Sequence, residues 1–263
     1  MDALPTLFLS HGAPDLPLRQ GAVNTFLGSL ATQLPPPQAI LVISAHWHSQ
    51  VPTVSRVDHP QTLYDFGGFP QALYQLRYAA PGAPALAERV VELLHDHGIP
   101  AQTDDSRGLD HGAWTPLIVA YPQATIPVTQ LSIHYGRDPE YHWQVGQALQ
   151  ALRHEGVLVI GSGSMTHNLS AFSPIYDAAP PEWVQAFDQW ALETIQRGDW
   201  GSLKRFRQTA PYARQNHPTP EHLWPLFVAI AAAGPGAVGI PLHRSYTYGA
   251  FSMAAYAFSS PTL

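Results

Sequence analysis

Five histidines stand where an imidazole can do chemistry. His11 follows the short apolar run at 5–9, within Ser-His-Gly-Ala-Pro, and His46 follows the β-branched run at 39–44. His111 is flanked by glycines in Gly108-Leu-Asp-His-Gly112. His167 comes just after the apolar run 157–160 and Gly161-Ser-Gly-Ser, where the backbone is expected to turn sharply. His222 falls in the first turn of a helix, for which Thr219 is the expected N-cap and Pro220 the first residue. Strand ends, glycine turns and first helical turns hold a side chain rigidly and leave it reachable from a cleft. Cysteine is absent, so a metal here must be held by histidine and carboxylate. Five such imidazoles are enough for a metal centre with one or two left for proton transfer. Spacing alone does not name the reaction. The chain has no HExxH, no P-loop and no GxSxG elbow, and a hydrolytic zinc site and an oxygen-activating Fe(II) site look alike at this level.

The elements that must position these residues alternate between strand and helix patterns. The run at 157–160 is wholly apolar and those at 5–9 and 39–44 are mostly so, as in strands buried on both faces, and 127–133 reads as a further strand. Between them, Val23, Phe26, Leu27 and Leu30 repeat at helical spacing up to Pro35-Pro36-Pro37. Leu86, Val90, Val91 and Leu94 mark a helix from about Pro84 to Gly98. Residues 115–121 read as helical, and Asp138-Pro139 starts a helix whose buried stripe is Tyr141, Val145, Leu149 and Leu152. A helix at 180–198 turns Trp183, Phe187 and Trp190 inward, another continues from His222 to Gly234, and 246–258 forms one or two strands. Residues 64–70, YDFGGFP, make a glycine-centred aromatic loop suited to walling a planar substrate. The expected fold is α/β: one domain over 1–263, with a central, mostly buried sheet flanked by helices and the site at the strand ends.

Composition narrows the partners. With 263 residues, 45% hydrophobic and 12% charged, the chain can bury a large core. No apolar run approaches the ~20 residues of a membrane span. No basic leader with a cleavage site precedes the first strand, which is the reading of a cytoplasmic protein. A net charge of -6 without a basic cluster argues against nucleic acid. Fourteen histidines against thirteen Lys and Arg point instead to metal or proton chemistry. Of the other histidines, His59, His95, His97, His142 and His154 read as solvated. His48 would share the face of His46 in an extended segment, but a loop is expected to begin there; His134 and His243 are weaker candidates near the site, and His217 supports the helix after it.

Taken together, SHGAP (10–14), SAHW (44–47), YDFGGFP (64–70), LDHGAW (109–114), GSGSMTHNL (161–169) and PTPEH (218–222) resemble the DOPA-type class III extradiol ring-opening dioxygenases. The match is colinear over roughly 5–258. The resemblance implies one divalent non-haem ion, Zn(II) or Fe(II), held by His11, His46 and His222. The wider superfamily uses a glutamate as third ligand; here the branch pattern puts that role on His222, beside Glu221. It further implies His167 as base and His111 as acid, the two standing opposite the metal, with Asp110 and Asn168 orienting them. Tyr64, Phe66, Phe69 and Trp47 would wall the ring. The substrates implied are a catechol, of the 3,4-dihydroxyphenyl kind that includes DOPA, and O2. A zinc hydrolase using the same histidines, or a non-catalytic Memo-like interaction protein, are the alternatives. The metal loaded, whether His167 also ligates it, and the oligomeric state stay open.

Overall fold

The fold was analysed in a computed structural model, which describes residues 3–259; Met1, Asp2 and 260–263 lie outside the described residues. The strands are β1 (Thr6–Ser10), β2 (Ala39–His48), β3 (Thr53–Ser55), β4 (Gln102–Asp104), β5 (Val128–Ile133), β6 (Val157–Gly163), β7 (Val238–His243), β8 (Tyr246–Thr247), β9 (Phe251–Ser252) and β10 (Ala255–Ser259). The helices are α1 (Ala22–Gln33), α2 (Pro84–Asp96), α3 (His111–Ala120), α4 (Pro139–Ala148), α5 (Glu182–Gln196), α6 (Trp200–Lys204), α7 (Phe206–Thr209), α8 (Ala213–Asn216) and α9 (Trp224–Ala232). Eight strands form one sheet in the order β4-β3-β5-β2-β6-β1-β10-β7, and β8 pairs with β9 separately. The central strands β5, β2, β6 and β1 are mutually parallel, while β10, β7 and the β3–β5 pairing are antiparallel. Among the described residues no helix is long and apolar enough to cross a membrane.

Alternation along each strand divides the core between the two faces. Phe8, Leu41, Ile43 and Val159 join the cluster built with α2, α4, α5 and α9. Leu7, Leu9, Ile40, Val42, Leu158 and Ile160 join the one built with α1 and α3. Helices on both faces explain why these strands carry no polar side. Asp138 caps α4 through a 2.9 Å bond from the Tyr141 amide, with Pro139 in the first turn.

Several elements differ from the reading of the sequence. Gly161 and Gly163 are not a turn; they continue β6 to its end. A Cβ on Gly161 would lie 2.2 Å from the Pro225 carbonyl oxygen, and one on Gly163 would lie 2.1 Å from that of His222. These glycines therefore let α9 and the turn before it lie directly on the sheet. The strand β2 extends through His48, so His46 is held by the strand rather than by a loop after it. Thr219 does not cap a helix: its hydroxyl binds the Glu221 carboxylate, and Glu221–Leu223 forms a 3-10 turn ahead of α9. In α5 the buried stripe is Val184, Phe187, Asp188, Ala191 and Ile195, with Trp183 and Trp190 half-buried. The tail holds three short strands rather than one or two.

His142, read as solvated, is 1% exposed and stacks on Trp224 at 5.1 Å. Its Nδ1 donates to the Asp138 carbonyl and its Nε2 accepts from the His134 amide, so the packing calls for the neutral ring. Burial lowers its pKa to about 4. His217 is also fully buried, and its Nε2 donates to the Met165 carbonyl at 2.9 Å, bracing the segment after β6. His134 packs against Tyr141 and His243 stacks on Phe26, both away from the five-histidine cluster.

The close approach at β6 gives a direct expectation. Gly161→Ala forces a methyl group against the Pro225 backbone and destabilises the fold by about 1–3 kcal/mol. A lower denaturant midpoint at unchanged slope is the expected readout; an unchanged midpoint would show that the α9 backbone yields freely.

Candidate metal centre and active site

Three adjacent parallel strands, β2, β6 and β1, end at one edge of the sheet, and the five histidines gather there. His11 directly follows β1, with its amide bonded to the Gly163 carbonyl at 3.0 Å. Gly12 takes a left-handed φ of 64° against Met253, which carries the chain away without a side chain in the path. His46 lies on the outer end of β2. His111 opens α3, whose start is pinned by Asp110 through Ser44 Oγ at 2.6 Å and Gln130 Nε2 at 2.8 Å. His222 sits in the turn before α9, its carbonyl accepting from the Ser164 amide at 3.0 Å. These backbone ties fix all four positions against the sheet.

His46 Nε2 lies 3.0 Å from His11 Nε2 and 3.2 Å from His222 Nε2. The partners of the opposite nitrogens decide what faces what. Ser162 Oγ donates to the Gly112 carbonyl, leaving only lone pairs for His11 Nδ1 at 3.0 Å. The Glu221 carboxylate, an acceptor only, lies 3.0 Å from His222 Nδ1. Both rings are therefore Nδ1–H tautomers, and their Nε2 lone pairs point toward His46 Nε2. At most one of these contacts can contain a proton from His46. Burial, followed by the repulsion of the neighbouring histidines, lowers the pKa of His11, His46 and His222 well below the usual value, so protonation does not relieve the crowding. A shared cation does. Donors about 2.1 Å from an ion and about 90° apart stand about 3.0 Å from one another, which fits these spacings. The residues present fit a divalent metal.

Two other groups have the donor types for an ion: His46, Asp65 and His111, and His167, Glu221 and His222. In each the carboxylate already accepts a ring proton, so the lone pairs converge best at His11, His46 and His222.

The remaining two histidines flank this group. His111 packs on His46 with ring centroids 3.9 Å apart. Its Nδ1 and its backbone amide both donate to Asp65 Oδ1, at 2.9 and 3.0 Å. Burial alone would raise the Asp65 pKa; the bonds from His111 outweigh it and hold the carboxyl below its usual range. His167 does not stand across the cavity. It lies flat on His222, centroids 3.5 Å apart and 11° from parallel, and among the described residues nothing hydrogen-bonds its ring. Burial, with His111 nearby, lowers its pKa to about 4, so it is a neutral imidazole.

A cavity of about 470 Å3 opens over this cluster. Phe66 and Phe69 line it; Tyr64 and Trp47 do not. Tyr64 binds the Leu76 carbonyl and lines a separate groove, and Trp47 packs under the Arg107 guanidinium. Asp110 touches neither His111 ring nitrogen, because its carboxylate is taken by Ser44, Gln130 and Arg107. Asn168 ties its own loop to Gln215 and Ser170 instead of His167. Sequence reading missed Asp65, Ser162, Phe251, Tyr135, Leu169, Phe172 and the bond from His222 to Glu221. Asp65 was visible as the one carboxylate inside YDFGGFP, and Glu221 as the neighbour of His222.

Residues 5–258 match the family described as the catalytic LigB subunit of aromatic ring-opening dioxygenase. The 4,5-DOPA dioxygenase extradiol of Beta vulgaris is 44% identical over 259 residues, 97% of this chain and 96% of that protein. The protein of the same name from Escherichia coli K12 is 39% identical, covering 87% and 85%. The crystal structure of an uncharacterized protein from Escherichia coli K12 superposes with a TM-score of 0.79 at 32% identity, over 97% of this chain and 99% of that one. The chain belongs to the LigB family of aromatic ring-opening dioxygenases.

Proposed function

We propose that this chain opens the ring of a 3,4-dihydroxyphenyl compound in the extradiol manner, placing both atoms of O2 in a ring-opened semialdehyde. The observation that carries this reading is the meeting of three bare imidazole nitrogens beside two further histidines under an aromatic-walled cavity. His11, His46 and His222 are the metal ligands in this proposal. A bound divalent ion lowers the pKa of the catechol hydroxyls and, when redox-active, links the electron-rich ring to O2.

The protein's own groups handle the protons. His167, whose ring is neutral and has no hydrogen-bond partner among the described residues, is free to accept a hydroxyl proton. His111 differs because Asp65 holds its Nδ1–H and leaves Nε2 for the cavity. In this reading His111, oriented by that bond, is the group that returns a proton when oxygen–oxygen cleavage needs an acid. Base and acid are thus separated by whether a carboxylate stands behind the ring. Asp65 acts through His111 as a positioning residue, and Phe66 and Phe69 border the catechol ring. Three neutral imidazoles accept Zn(II) and Fe(II) alike; we assign turnover to Fe(II). A hydrolase or a non-catalytic interaction protein is not favoured, given the named activity of the relatives.

The test is anaerobic removal of metal, reloading with Fe(II) or Zn(II), and exposure to L-DOPA, protocatechuate and caffeate under O2. The Fe(II) form is expected to consume O2 and yield a conjugated yellow product. No uptake with any catechol and either ion would contradict the proposal. Variants separate the roles. His46→Ala should lose both metal and turnover. His167→Ala and Asp65→Asn should keep most of the metal, measured by elemental analysis, and lose turnover by about 10²-fold or more. Metal loss in His167→Ala equal to that in His46→Ala would make His167 a ligand.

A further inference from the structure

His48 is a cavity histidine with no part in the ligand group or in the proton chemistry proposed above. It lies two residues beyond His46, and because β2 runs on through it, the alternation of the strand sets both on one face. Trp47 between them turns away to pack under Arg107, while His46 and His48 both line the cavity. His48 Nε2 donates to the Ala45 carbonyl at 2.7 Å. In the neutral ring Nδ1 therefore carries a lone pair, and among the described residues nothing hydrogen-bonds to it. Parallel pairing sets His48 beside Ile133 at the end of β5, which brings Tyr135 to the same corner. The Tyr135 ring packs on His48 with centroids 5.3 Å apart and also lines the cavity. Tyr135 is 52% exposed, so water reaches this corner.

Charge at the cavity surface is one-sided. Among the described residues no lysine or arginine lines it, whereas Glu221 does. Arg137, two residues past Tyr135, lies over the Tyr141 ring. A nitrogen lone pair beside the face of a phenol ring is a receptor for a cation that donates hydrogen bonds. Two strand residues span about 6.6 Å, so a catechol ring held beside His46 brings a short arm within reach of His48.

We propose that His48 and Tyr135 receive a protonated amine on the arm of the catechol and set a preference for amino-bearing substrates over amine-free ones. This rests on the ring-cleavage reading of the same cavity. The ammonium donates to His48 Nδ1 and lies against the Tyr135 ring. A carboxylate on the same arm stays in the water that reaches Tyr135, so catechol acids lacking the amine still bind, less tightly.

L-DOPA and 3-(3,4-dihydroxyphenyl)propanoate test this, because they share ring, chain length and carboxylate and differ in the amine. Calorimetric titration of the Zn(II)-loaded protein without O2, at about pH 8, is expected to show L-DOPA binding about tenfold more tightly. His48→Phe keeps an aromatic ring and removes the acceptor; it should bring the two affinities to within about threefold of each other, through weaker binding of L-DOPA. His48→Gln, whose amide oxygen can accept, should keep part of the preference. Equal affinities in the parent protein, or tighter binding of the propanoate, would overturn the proposal, as would an unchanged ratio in His48→Phe. Metal loss in either variant, measured by elemental analysis, would also overturn it by making His48 a support of the metal. Admitting O2 to the Fe(II) form tests the reaction separately. L-DOPA that binds tightly through His48 and is never cleaved counts against ring opening and still supports the amine site; equal binding of two catechols that are both cleaved does the reverse.

Discussion

Three imidazole nitrogens, with His46 Nε2 within hydrogen-bond distance of both His11 Nε2 and His222 Nε2 and too few protons to satisfy them, are the constraint on which the rest of this structure depends. Ser162 and Glu221 fix the tautomers of His11 and His222 from behind, so their lone pairs cannot be turned away by moving a proton. Burial removes the other escape, which is charging the rings. Such a cluster is costly by itself and suited to a cation, and folding energy from elsewhere must hold it together. That energy comes from a sheet buried on both faces, with four parallel strands at its centre. Gly161 and Gly163 matter for the same reason: they let α9 and the turn bearing His222 lie against β6, bringing His222 to the ends of β1 and β2.

Asymmetry around the centre follows from two carboxylates. Glu221 backs a ring in the ligand group, where accepting the Nδ1 proton fixes the ring's orientation and strengthens Nε2 as a donor. Asp65 backs a ring outside it, where the same kind of hydrogen bond fixes the orientation of His111. His167 has neither kind of support. In the proposed reading one residue type thereby serves three purposes within a single cluster, and the difference lies in what stands behind each ring. The loop at 64–70 joins two of these roles, because it supplies Asp65 to His111 and Phe66 and Phe69 to the cavity wall.

The sequence made the architecture legible because fully apolar β-branched runs alternate with helical stripes, and those periods survive packing. Histidines just past such runs were legible as a group for the same reason: parallel strands end together. Features that depend on distant partners were not. Nothing in the local sequence shows that Asp110 would be consumed by Ser44, Gln130 and Arg107, or that Asp65, 46 residues before His111 in the chain, would take the orienting role. Gly161-Ser-Gly-Ser has the composition of a turn, yet it runs straight because the space its missing side chains leave is filled by the α9 backbone. His142 looked solvated because its helix is polar around it; the Trp224 ring that buries it lies 82 residues further on.

The central claim is that the ion sits among His11, His46 and His222. Anomalous diffraction from crystals of the metal-loaded protein tests it most directly, because the described residues offer two other donor groups that share His46 or His222. The account predicts a single peak bonded to the Nε2 atoms of His11, His46 and His222, at about 2.1 Å from each. A peak coordinated by Asp65 and His111 with His46, or by Glu221 and His167 with His222, would contradict it.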